Sequence, residues 1–142
     1  MKKNILVLLI LIIAVSCEYS KEIPIDQFIG KWEIQGRSMF DGIEIEISNV
    51  DGKLTGKVTK LNNNKYVLEF LELDNTWITS IVRISNYEFS ITEKKLAHEL
   101  FSLYGLDTSA EYNAHFLDKD TIILTNSGSH SNRNQIQYKR IQ

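Results

Sequence analysis

Cysteine and proline each occur once in the 142 residues, at Cys17 and Pro24. A single cysteine excludes an intrachain disulfide, so apolar packing and hydrogen bonds must hold whatever folds. With no proline after Pro24, nothing further along removes a backbone N–H from strand pairing. Long apolar runs are missing too. The longest, residues 5–15, has eleven positions and would make a helix of roughly 16 Å, about half of a bilayer's hydrocarbon core. A surplus of positive charge is also absent, since 16 basic face 18 acidic side chains for a net charge of −2. That balance gives no electrostatic footprint for a nucleic acid. No phosphate-binding loop, dinucleotide fingerprint or zinc-ligand spacing occurs, and His98, His115 and His130 stand far apart. Neither a metal nor a cofactor is expected.

What the chain does have begins at its start. Lys2 and Lys3 introduce the apolar run, and small residues follow it, which is the pattern of a secretory signal. Ala14-Val15-Ser16-Cys17 resembles the lipobox of bacterial lipoproteins, with Ala14 where that family usually has Leu. The resemblance implies a diacylglyceryl thioether on the Cys17 sulfur, cleavage before it and acylation, commonly with palmitate, of the new amine. Three segments are then expected: a signal peptide at 1–16, a lipidated N-terminus and tether at 17–26, and one domain at 27–142. After the cut, 14 basic face 18 acidic side chains, a net charge of −4. The expected location is the cell envelope, held to a membrane by lipid. Glu18 in place of the Asp associated with inner-membrane retention points to the outer membrane.

In the mature part, Ile43, Ile45 and Ile47 alternate with Glu44, Glu46 and Ser48, the period of a strand with one face buried. Asp51-Gly52 is a hairpin turn signal, and residues 53–60 return as the partner strand. Segments at 65–73, 76–84 and 87–92 read as further strands, as do 111–117, 121–125 and 133–141. With 28–37 at the start, nine strand-like segments are expected. Only Leu96, Leu100, Phe101, Leu103 and Tyr104 recur at three- and four-residue spacing, which predicts one short helix around 93–104. Short antiparallel strands at this spacing predict an all-β fold, a sandwich or a closed meander barrel of eight to ten strands. Closure removes exposed sheet edges, so the barrel is favoured.

The segment Phe28-Ile29-Gly30-Lys31-Trp32 is similar to the first-strand signature of lipocalin-like (calycin-type) barrels, in which Gly-x-Trp lies near the chain start. Arg140 matches the basic residue that stacks over that Trp. The resemblance implies that Gly30, Trp32 and Arg140 close one end of the barrel. It further implies a small apolar ligand inside, with Tyr66, Phe70, Trp77, Phe89, Tyr112 and Phe116 as candidate contacts. Each of these aromatics also suits an ordinary filled core. Serine and histidine in the loop Ser127-Gly128-Ser129-His130-Ser131 have no acid placed to orient a base, so a non-enzymatic protein is expected. The alternative is a partner-binding or structural envelope lipoprotein without a ligand cavity, using that loop or the acidic face of Glu44 and Glu46.

Overall fold

The computed structural model describes residues 21–126 and 135–142. The expected signal segment, Cys17 and the stretch around His130 lie outside the described residues. Eight strands, β1 (Gly30–Gln35), β2 (Glu44–Val50), β3 (Lys53–Lys60), β4 (Thr76–Arg83), β5 (Glu88–Lys94), β6 (Ser109–Asp118), β7 (Thr121–Asn126) and β8 (Ile136–Ile141), follow one another. They pair in chain order as antiparallel neighbours, and β8 returns to β1 to close the barrel. The all-β meander barrel predicted from the strand rhythm is therefore the fold.

Alternation decides which side chains fill it. Ile43, Ile45 and Ile47 are fully buried while Glu46 and Ser48 face water, so a one-residue slip would turn three isoleucines outward. The turn after β2 follows from Asp51 and Gly52, whose φ angles of 53° and 81° fit a two-residue hairpin. On β3, Gly56 lies against Ile78 of β4, where a Cβ would come within 3.1 Å of the Ile78 Cβ.

Connection length divides the barrel into two ends. At one, residues 51–52, 84–87 and 119–120 make tight hairpins; at the other, strands are joined by 36–43, 61–75 and 95–108. The tight end is closed. A 3-10 turn, Ile25–Phe28, runs into β1 there, and Phe28 packs on Phe89 and Phe116 at ring separations of 4.8 and 4.7 Å. The Trp32 indole donates to the Phe28 carbonyl at 2.7 Å. Above it, the Arg140 guanidinium carbon sits 4.1 Å from the Trp32 ring centre, and its nitrogens donate to the Gln27 and Ile29 carbonyls at 2.6 and 2.9 Å. Gly30 makes this approach possible: its φ is 131°, and a Cβ would lie 2.7 Å from Arg140 Nη1. A second arginine, Arg83, donates to the Ile23 carbonyl at 2.5 Å and pairs with Glu22 at 3.1 Å. Ile23 and Ile25, read from sequence as tether, thus pack on the barrel.

Two elements differ from the sequence reading. Residues 65–73, expected as a strand, form helix α1 (Lys65–Phe70). Asn64 caps it, accepting from the Tyr66 and Val67 backbone N–H groups. The inward residues are Val67 and Leu71, at helical i, i+4 spacing, and not the alternating Tyr66, Leu68 and Phe70, which are exposed. The helix expected around 93–104 is a single six-residue element, α2 (His98–Leu103), preceded by Ala97 in the left-handed region at φ 57°. It is shorter because Glu93 and Lys94 stay in the ladder opposite Ala110 and Ser109. The described residues thus form eight strands and two α-helices, where nine strand-like segments and one helix were expected.

The closed-end contacts predict two linked stability losses. Arg140→Met removes the guanidinium from Trp32 and from the Gln27, Ile29 and Lys119 carbonyls, and Gly30→Ala forces the guanidinium aside. Each should lower unfolding free energy by about 1–3 kcal/mol in urea titrations. The double variant should be little worse than the more damaging single one, because both act on one contact. Additive losses would show that the two residues act separately.

A candidate ligand site at the open end of the barrel

Charge enters the barrel interior where the alternation of β5 would place a third apolar residue. Phe89 and Ile91 point inward, and Glu93 continues the same face, its side chain only 2% exposed. A buried carboxylate is tolerated only when hydrogen-bonded and paired. Glu93 has both. Its Oε1 accepts from the Tyr138 hydroxyl of β8, and its Oε2 accepts from Arg37 Nη1 at 2.6 Å. Tyr138 accepts in turn from the Trp77 indole N–H at 3.0 Å, and Arg37 Nη2 donates to the Tyr112 hydroxyl at 2.5 Å. Five side chains from β4, β5, β6, β8 and the 36–43 connection are thereby joined across the barrel.

Burial alone would lower the Arg37 pKa, but the charge and hydrogen bond of Glu93 outweigh it and hold the guanidinium above its ordinary value. Burial pushes the Tyr138 hydroxyl well above its ordinary value, and the Glu93 charge adds to the shift. Tyr112 is raised for the same first reason, with Arg37 opposing. The network is thus an ion pair flanked by neutral hydroxyls.

Above this polar floor lies a cavity of about 200 Å³, lined by Arg37, Phe40, Trp77, Glu93, Lys95, Leu96 and Phe101 among others. The Phe40 and Trp77 rings meet edge to face at 5.1 Å. The Arg37 guanidinium carbon is 5.0 Å from the Phe40 ring and 5.2 Å from the Tyr112 ring, so aromatic faces hold it on two sides. A neighbouring groove of about 320 Å³ runs between α1 and α2, lined by Phe70, Leu71, Trp77, Leu96 and His98 among others.

The six aromatic candidates fall into three settings. Phe89 and Phe116 belong to the closed-end ring cluster with Phe28, on the far side of the polar layer. Trp77 and Tyr112 belong to the polar layer itself. Tyr66 and Phe70 are on α1, 48% and 39% exposed, with Phe70 lining the outer groove. Arg37, Phe40, Glu93, Lys95, Leu96, Phe101 and Tyr138 were not singled out from sequence as site residues. Glu93 was readable, as an acid in phase with Phe89 and Ile91; Arg37 and Phe40 sit in a connection without periodicity and carried no such signal. His115 points outward and His98 lines the outer groove. Among the described residues no three His, Cys, Asp or Glu side chains could share a metal ion.

The class this defines is an eight-stranded antiparallel barrel with one plugged end and one cavity-bearing end, consistent with the calycin type. The chain matches no family model, and neither the curated proteins nor the solved structures contain a significant match to it.

Tyr138→Phe should cost about 1–3 kcal/mol at neutral pH, since the Trp77 N–H and one Glu93 oxygen each lose a partner. It should also change the alkaline profile. Tyrosine in the unfolded chain ionises near pH 10 while the buried hydroxyls stay neutral, so their stabilising contribution is complete below pH 10 and lost as pH rises beyond it. Each tyrosine adds a slope of up to about 1.4 kcal/mol per pH unit. Chemical denaturation between pH 7 and 11 should show a steeper alkaline fall in the native protein than in Tyr138→Phe. Parallel profiles would mean that Tyr138 ionises as freely in the folded state as in the unfolded one.

Proposed function

We propose that this protein is a lipid-anchored lipoprotein of the cell envelope, with the outer membrane as its favoured site, whose barrel binds or carries a small, mainly apolar ligand at its open end. The observation that carries the ligand reading is the cavity over the Arg37–Glu93 layer, whose walls include the apolar side chains of Phe40, Leu96, Phe101 and Ala110 beside Lys95. Rings fill the other end, so the bound body is small; a cavity of about 150 Å³ already accommodates benzene. The reading includes no catalytic step.

The anchoring half rests on the lipobox-like sequence ending at Cys17, and the fold is compatible with it. No helix among the described residues is long and apolar enough to cross a membrane. The N-terminal segment is fastened at the closed end by Arg83 and Arg140. Position 17 is four residues before the first described one, a reach of at most about 14 Å. A lipid there would place the closed end toward its bilayer and the mouth away from it.

A second reading, a partner-binding envelope lipoprotein without a ligand, is favoured by the apolar rim beside α2, where Leu103 and Tyr104 are each 80% exposed. Two measurements separate these readings. Palmitate labelling should mark the wild-type protein and vanish in Cys17→Ser; equal labelling would overturn the anchor. Native mass spectrometry of protein from its own host should show a noncovalent small molecule that Leu96→Trp, which fills the cavity, loses. A wild-type mass without any retained molecule would favour the partner reading.

A further inference from the structure

We infer that the ligand of the open-end cavity is a small organic monoanion, a carboxylate whose acidic group meets Arg37 and Lys95 while its flat or aliphatic body lies against Phe40, Leu96 and Phe101. This rests on the reading of the mouth as a ligand site and adds the charge of its occupant.

The inference comes from which polar groups of the lining remain available. Glu93 is buried, and both its oxygens already accept, from Tyr138 and from Arg37. It therefore offers an incoming molecule no accessible acceptor. Arg37 is different: its side chain is 24% exposed, and only two of its five N–H groups have partners among the described residues. The guanidinium is held between the Phe40 and Tyr112 rings, so its remaining donors are preoriented and little side-chain entropy is lost on binding. Lys95 adds an ammonium on the same lining, 5.6 Å from the Phe101 ring centre. Lys94 also lines the cavity, but the alternation of β5 puts its side chain on the outer face. Arg37 and Lys95 against Glu93 leave one positive charge in surplus. A neutral apolar molecule would strip water from these donors without replacing it, and a cation would meet like charge. A carboxylate satisfies both donor groups in a site whose other walls are apolar.

Three matched probes test the charge with the body held constant: 3-phenylpropionate, 3-phenylpropanamide and 3-phenylpropylamine, titrated calorimetrically into the full-chain protein in phosphatidylcholine nanodiscs. The carboxylate should bind at least about tenfold more tightly than the amide, as expected for a charge-assisted hydrogen bond, and the amine should bind more weakly than both. Raising salt from 50 to 500 mM should weaken the carboxylate and leave the amide nearly unchanged. Lys95→Gln should bring carboxylate and amide within about threefold of each other, Lys95→Arg should keep the preference, and unchanged melting temperatures would show both variants folded. Equal affinities for carboxylate and amide in the native protein would overturn the anion assignment while leaving the ligand site standing. Absence of binding by all three at millimolar concentration would overturn both.

Discussion

Closure of the sheet by β1 against β8 is the constraint from which the other features follow. A meander of eight short strands has two raw edges until its first and last members meet, and they meet over five register pairs, from Lys31 with Ile141 to Gln35 with Gln137. A seam between strands so remote in sequence gains from reinforcement by side chains. It has two: Arg140 lies across Trp32 and binds the carbonyls leading into β1, and Tyr138, opposite Ile34, is tied through Glu93 to the far wall. One arginine at the plugged end and one tyrosine in the middle thus hold together strands that are remote in sequence. Without a disulfide, no covalent link shares that task.

The polar layer is an unusual way to hold a barrel. Replacing a buried ion pair with well-packed apolar side chains is often neutral or stabilising, whereas removing one partner is costly. Arg37, Glu93, Tyr112, Tyr138 and Trp77 therefore do not add stability that isoleucines could not supply. What they add is directional: Arg37 ties the 36–43 connection to β5 and β6 across the mouth, whereas apolar contacts are non-directional. They also divide the interior, with a ring-filled compartment below and a cavity above.

Most of the strand framework was legible because its signal is local. Ile43, Ile45 and Ile47, then Phe89 and Ile91, advertise an inward face through period-two spacing, and Asp51-Gly52 marks a turn that needs positive φ. The error at 65–73 has the same root. Tyr66, Leu68 and Phe70 alternate like a strand, yet Asn64 caps a helix and Val67 and Leu71 are the pair that reaches the core. Period two and period 3.6 are hard to tell apart over six residues, and the cap was the better witness. The site was less legible than the fold. Glu93 breaks an apolar face, a readable anomaly, but its meaning depends on Arg37, 56 positions away, and no local pattern announces a partner at that distance.

The two ends of the barrel obey different rules because their connections differ. Tight hairpins such as Asp51-Gly52 leave no chain to spare, so side chains from the strands and the 3-10 turn must plug that end, and Phe28, Trp32 and Phe116 do. Long connections at the other end reach over the opening, and what they bring, Phe40 from one, Leu96 and Phe101 from another, stands around a space instead of filling it. Close packing at the plugged end resists change, because each ring contacts others whose positions are fixed by backbone hydrogen bonds. The cavity is therefore lined mostly by residues that the barrel does not need for its closure, whereas Glu93, which ties Tyr138 to the far wall, belongs to both.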